Sequence, residues 1–223
     1  MAMSYNLRTS HKSPKNLFIN PIFAITIFFI FPSASAIEFK ISRFDASATN
    51  ILYEGDAVPF NGSIELTRVD YLCRVGWATF SQPVHLWDKA TQKLTDFTAH
   101  FSFSIDTRNS STYGNGFALF LAPVDFKIPP NSVGGFLGLF NTTTFYSRTQ
   151  NQLVTVEFDA TPNSEWDPPV EHIGINVNSI ESITYAPWNV TIHSGAVANA
   201  WISYNASIKR FISRVTYHPF VGV

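Results

Sequence analysis

Apolar and polar residues alternate with period two along much of the chain, and the alternation is sharpest over residues 154–178, VTVEFDATPNSEWDPPVEHIGINVN. Two alternating runs flank a polar loop there, which predicts a pair of antiparallel strands. On the first run Val154, Val156 and Phe158 share a face and Thr155, Glu157 and Asp159 take the other, because successive strand side chains point to opposite sides. On the returning run Ile173, Ile175 and Val177 are the apolar set, so His172, Gly174 and Asn176 fall with the carboxylates. Other segments read as strands too: a looser one through Phe39, Ile41 and Phe44, then residues 75–80 (with Cys73 expected as a small buried hydrophobe in a strand), and the strictly alternating 101–105. Helical periodicity is absent. Short strands separated by Asn, Gly, Pro and Ser predict an all-β protein, two antiparallel sheets packed face to face as a sandwich.

The polar face of the 154–178 hairpin carries candidate chemistry. Glu157, Asp159 and Asp167 would repel one another at close range, and a cation is the natural remedy. Asp159, Asn163, Asp167 and a loop carbonyl form an all-oxygen set suited to calcium. Glu157, Asp159, Asp167 and His172 include a nitrogen and suit manganese or another transition metal.

Composition narrows the function classes. The chain has 223 residues, a formal net charge of -1, 15 Lys+Arg and 21 Phe, with no basic stripe of the kind nucleic-acid binding requires. Its single cysteine, Cys73, excludes an internal disulfide. Residues 1–36 read as a signal peptide: Arg8, Lys12 and Lys15 precede an apolar run over 22–31, and Ala34-Ser35-Ala36 offers small residues for cleavage. The run is too short to span a bilayer comfortably, and no later stretch is long and apolar enough to do so. One domain over 37–223 is expected, in the secretory pathway and destined for the extracellular space or a vacuole. Sequons at Asn61, Asn109, Asn141, Asn189 and Asn205 are candidates for glycosylation.

The segment VEFDATPNSEWDPPVEHIGINVNS resembles the metal loop of the legume lectins in order, residue type and spacing, and 74–107, GFALFLAP and IPPNSVGGFLGLFN extend the resemblance over essentially all of 37–223. The resemblance implies a jelly-roll sandwich of the concanavalin type and a non-catalytic, metal-dependent carbohydrate-binding protein. It assigns Glu157, Asp159, Asp167 and His172 to a manganese-type ion, and Asp159, the Thr161 carbonyl, Asn163 and Asp167 to calcium. It assigns Asn115, Gly135 and Asn163 to the sugar, and it implies pairing of two copies through a flat back sheet.

Three departures from the family pattern bear on the sugar. An aspartate of the family's A-D-G turn is Asn115 here, in Gly114-Asn115-Gly116, and an aromatic position is Thr161, for which Phe145, Tyr146 or Trp166 are candidate substitutes. The pattern also becomes irregular after Phe211, with Arg214 in an expected apolar alternation, and stops before the family's late loop, so an incomplete, destabilised sandwich is expected. These departures favour a second function, a lectin-like storage or defence protein with weak or no simple-sugar binding. A third, β-glucan hydrolysis, would need alternating carboxylates on one strand. Glu157-Phe158-Asp159 begins that pattern and Pro162-Asn163 breaks it.

Overall fold

The computed structural model describes residues 37–68, 71–88 and 91–217, so the expected signal peptide lies outside the described residues. The chain divides into two compact units, Met1–Lys40 and Ile41–Val223. Among the described residues of the second, thirteen strands run in the order β1 (Ile51–Gly55), β2 (Val58–Phe60), β3 (Ser63–Glu65), β4 (Gly76–Phe80), β5 (Trp87–Asp88), β6 (Lys93–Leu94), β7 (Phe97–Phe103), β8 (Gly116–Leu121), β9 (Val154–Asp159), β10 (His172–Val177), β11 (Ser182–Pro187), β12 (Ala198–Asn205) and β13 (Arg210–Tyr217). Among the described residues the only helical element is a single 3-10 turn, Gly134–Phe136.

Two larger sheets carry the architecture. The front sheet has the order β11-β10-β9-β8 and the back sheet β13-β12-β7, all pairings antiparallel. Their inner faces meet over Val156 and Phe158 from β9 and Ala200 and Ile202 from β12, all at 0% exposure. Phe101 and Phe103 meet Phe158 edge-on, and Phe117 stacks on it at 4.6 Å. Burying side chains of this size at roughly 1.5–3 kcal/mol each makes this layer the main source of cohesion.

A second core lies on the other side of the front sheet. Trp77, Leu139, Phe140, Leu153 and Ile180 pack there, with Ala118 and Phe120 from β8 and Phe136, Phe145 and Trp166 from the loops. Both faces of β9 are consequently covered, and Thr155 to Asp159 are all buried. The alternating pattern of β9 therefore separates an apolar interior from a polar interior, not core from solvent.

Three expectations require correction. The strand through Phe39, Ile41 and Phe44 does not form; Phe44 makes one isolated bridge to Gly62. Cys73 is exposed, outside any strand, with φ of 57°. The chain from Phe211 to Tyr217 is regular: β13 pairs with β12 over its full length, from Asn205↔Arg210 to Ala198↔Tyr217. Phe211 and Val215 turn inward to the core. Arg214 falls on the opposite, exposed phase of the same alternation, so it breaks no apolar pattern.

Candidate metal and saccharide site

The site forms where β9 and β10 end beside the 160–171 loop. Antiparallel register puts His172 opposite Asp159, Gly174 opposite Glu157 and Asn176 opposite Thr155, so these polar groups share the face turned from the inter-sheet core. Gly174 leaves the space in which Glu157 lies. A Cβ at 174 would meet Ser182 Oγ at 1.9 Å and Glu157 Oε1 at 2.5 Å. Through that gap Glu157 Oε1 reaches His172 Nε2 at 3.2 Å and accepts from Ser182 Oγ–H at 2.6 Å.

His172 is fully buried, and its Nδ1 lies 3.1 Å from the Val170 carbonyl. A carbonyl only accepts, so Nδ1 carries a proton and Nε2 faces the carboxylate. A neutral ring would then present a lone pair to an anion. A proton or a metal cation resolves the conflict, and the donor set fits a metal: Glu157, Asp167 and His172 each offer a ligand atom, all within 4.8 Å of one another. Asp159 adjoins the group and is held by the Thr161 N–H, 2.8 Å from its Oδ1. Asp167 Oδ2 accepts the Asn163 N–H at 2.7 Å, while the Asp167 N–H donates to the Asn163 carbonyl at 2.9 Å. The loop is thereby closed on itself.

The electrostatics show the crowding. Burial, then the neighbouring Asp167 charge, pushes the Asp159 carboxyl up to about 7. Burial also raises Asp167, against the Asn163 N–H bond that lowers it. For His172, burial disfavours the imidazolium, but the hydrogen bond and charge of Glu157 with the charge of Asp159 outweigh it and raise the ring above its ordinary value.

Asn163 links this cluster to a second group of residues. Its Oδ1 is buried and without a hydrogen-bond partner, and it lies 2.0 Å from where a Gly135 Cβ would be. Any side chain at 135 would displace the amide. Asn115 Oδ1 lies 3.7 Å from the corresponding point on Gly134. The Asn115 carbonyl accepts the Ala160 N–H at 2.8 Å, and Thr161 Oγ1 donates to the Gly114 carbonyl at 3.4 Å. Asn115, Gly135 and Asn163 are thus neighbours beside the carboxylates. Thr161 is exposed. Among the candidate aromatic substitutes, Trp166 stacks on Phe136 at 5.2 Å and Phe145 lies against both, which makes them packing residues. Tyr146 is 45% exposed and its hydroxyl donates to the Glu165 carbonyl at 2.8 Å.

Two supporting residues carry no recognisable signal in the sequence. Ser182, on β11, shares Glu157 with His172; only the fold brings it there. Glu171 joins three loops: one oxygen takes the Tyr113 hydroxyl, the other accepts the Val190 N–H at 2.8 Å, and its carbonyl accepts the Trp188 N–H at 2.9 Å.

Comparison with known proteins identifies the family and the fold. The family model described as legume lectin domain matches residues 36–220. Lectin 6 of Medicago truncatula is 41% identical, the match covering 84% of this chain and 71% of that protein. The L-type lectin-domain containing receptor kinase IX.1 of Arabidopsis thaliana is 45% identical over 89% of this chain, which spans only 31% of the kinase's length. Among solved structures, the metal-free form of lectin I-B4 from Griffonia simplicifolia superposes with a TM-score of 0.76 at 34% identity, over 82% of this chain and 79% of that one. The Bauhinia forficata lectin in complex with GalNAc gives 0.74 at 36% identity, over 84% and 80%. The chain belongs to the legume lectin family.

Proposed function

We propose that this protein is a metal-dependent, non-catalytic carbohydrate-binding protein. Glu157, Asp159, Asp167 and His172 would hold a manganese-type ion, and Asp159, the Thr161 carbonyl, Asn163 and Asp167 would hold calcium. The observation that carries the proposal is the convergence of Glu157, Asp167 and His172 ligand atoms within 4.8 Å of one another, with Glu157 and His172 buried and Asp167 half-buried. Bound cations would supply the countercharge that the carboxylates lack and fix the loop they share. The Asn163 amide, the Gly135 N–H and Asn115 would then meet sugar hydroxyls as preorganised donors and acceptors. Glu157 is already shared between His172 and Ser182, which favours a ligand role over that of a hydrolytic carboxylate.

Asn115 and Thr161 favour a second reading, a lectin-like protein with weak recognition of simple sugars. An amide offers one acceptor end where a carboxylate offers an ionised pair, a difference of roughly 1–2 kcal/mol in affinity. Removal of residues 1–36 in the secretory pathway, delivery to the extracellular space or a vacuole, and glycosylation at the exposed Asn61, Asn109, Asn189 and Asn205 belong to the same proposal, as does pairing of two copies. The test is metal analysis of the purified protein with glycan-array binding before and after chelation. Stoichiometric metal with chelator-sensitive, sugar-inhibited binding supports the first reading; metal without array binding supports the second; absence of metal overturns the first.

A further inference from the structure

Tyr113 and Glu171 form a link that belongs to neither ligand set. Tyr113 immediately precedes the Gly114-Asn115-Gly116 turn, and Glu171 immediately precedes His172. The Tyr113 hydroxyl donates to Glu171 Oε1. Its single proton is thereby used, so the Thr191 hydroxyl, 3.3 Å away, is the donor to the phenol oxygen. The bond to Glu171 raises the phenol above its ordinary range, which keeps it a donor. An ionised acceptor makes this bond roughly twice as strong as a neutral one.

The turn is pinned at its far end. Gly116 pairs with Asp159 in the front sheet, and the Asn115 carbonyl accepts the Ala160 N–H at 2.8 Å. Its near end depends on Tyr113. Residues 108–112 are exposed, and among the described residues their side-chain bonds stay within 106–112, from Asp106 Oδ1 to the Arg108 N–H and between Ser110 Oγ and Thr112. Tyr113 is the residue before the turn whose side chain reaches another element.

Glu171 is a fixed partner for it. Its second oxygen accepts the N–H of the buried Val190 at 2.8 Å, and its carbonyl accepts the Trp188 N–H at 2.9 Å. On one side of Glu171 the Val170 carbonyl orients the His172 ring, 3.1 Å from Nδ1; on the other side is His172 itself. Whatever holds His172 therefore holds Glu171, and through Tyr113 the entry to the turn that carries Asn115.

We propose that Tyr113 and Glu171 are positioning residues for saccharide binding, a hydrogen-bonded pair that extends the order of the metal loop to the Gly114-Asn115 turn. This deepens the function proposed above and rests on that reading of the loop.

The test compares wild type with Tyr113→Phe, Glu171→Gln and the double variant, each as the full chain with folding checked by near-UV circular dichroism. Metal affinity is measured by chelator competition with calcium and manganese, saccharide affinity by calorimetry with galactose and mannose, and amide exchange by mass spectrometry with and without metal. Tyr113→Phe removes one hydroxyl and no metal ligand. Its metal affinity is expected to be unchanged, while affinity for the sugar that wild type binds falls about tenfold, equivalent to one charge-assisted bond. Metal is expected to slow exchange over 113–116 in wild type and not in Tyr113→Phe. The two residues act as one pair, so the double variant is expected to lose no more sugar affinity than Glu171→Gln alone, whereas independent structural roles would add. Should Tyr113→Phe not fold, Glu171→Gln carries the same sugar and exchange readings.

Three results overturn the proposal. One is metal affinity that falls in step with sugar affinity in Tyr113→Phe, which makes the pair a brace of the metal loop alone. Another is Tyr113→Phe matching wild type in both sugar affinity and metal-dependent protection of 113–116. The third is wild type in which metal leaves 113–116 unprotected. Wild type that takes up metal but binds neither sugar counts against the first functional reading, and the exchange difference between wild type and Tyr113→Phe then decides this proposal, so the two fail separately.

Discussion

Stripping divalent cations should invert the dependence of stability on pH. The relevant groups are Asp159, Asp167 and His172, all with raised proton affinity in the folded chain. A group whose folded pKa lies above its unfolded value stabilises the fold fully below the unfolded value and loses that contribution as pH rises through the folded one. For Asp159 the window runs from 3.8 to about 7. That interval is about three pKa units, equivalent to about 4 kcal/mol, and relaxation of the loop reduces the expected loss to roughly 2–4 kcal/mol. Asp167 acts in the same direction, and His172 extends the loss above its ordinary value of 6.5. Urea unfolding in chelator at pH 4.5, 6 and 8 should show falling stability, and Asp159→Asn should flatten the slope. With calcium and manganese in excess the trend should reverse, because protons compete with metal for the same oxygens and nitrogen. A chelated protein that grows more stable from pH 4.5 to 8 would refute the argument that these carboxylates lack a protein countercharge.

Three further outcomes are expected. Gly135→Ala places a Cβ 2.0 Å from Asn163 Oδ1 and should abolish calcium-dependent glycan binding while moving the melting temperature by only a few degrees, about 1 kcal/mol, as read by glycan array and calorimetry. Glu171→Gln weakens the charge-assisted bonds to Tyr113 and the Val190 N–H, and should cost roughly 1–3 kcal/mol in urea unfolding with faster hydrogen exchange in the 188–195 loop. Asn115→Asp with Thr161→Phe should raise affinity for simple sugars by about tenfold or more in calorimetry, since it restores an ionised acceptor and an aromatic face.

The parts of the site that were legible in the sequence are those set by local geometry. Alternation alone assigns Glu157, Asp159 and His172 to one face of a hairpin, and the structure pairs them as that pattern requires. Parity of strand residues also explains Arg214: it looked out of place only because the phase of β13 was unknown, and Phe211 and Val215 define that phase once paired with β12. What depends on long-range packing was not legible. Ser182 and Tyr113 reach the site from other elements, and single hydroxyls leave no pattern. The burial of both faces of β9 was hidden for a related reason, since the loops that form the second core have no period of their own. Cys73 shows the opposite error: an apolar residue beside strand-like text sits in an exposed bend with positive φ, outside any strand.

The double burial of β9 joins stability to recognition. Phe158 seals the inter-sheet core while its neighbours Glu157 and Asp159, one residue either side, are turned into the polar interior beneath the 160–171 loop. A shift of β9 by one residue would exchange these sets, placing carboxylates among Phe101, Phe103 and Phe117. Desolvating even one unpaired carboxylate there costs several kcal/mol, comparable to the whole stability of a domain. The aromatic core therefore enforces the register that brings Glu157 opposite Gly174 and Asp159 opposite His172. The residues that converge at the loop owe their positions to the side of the strand that faces away from it.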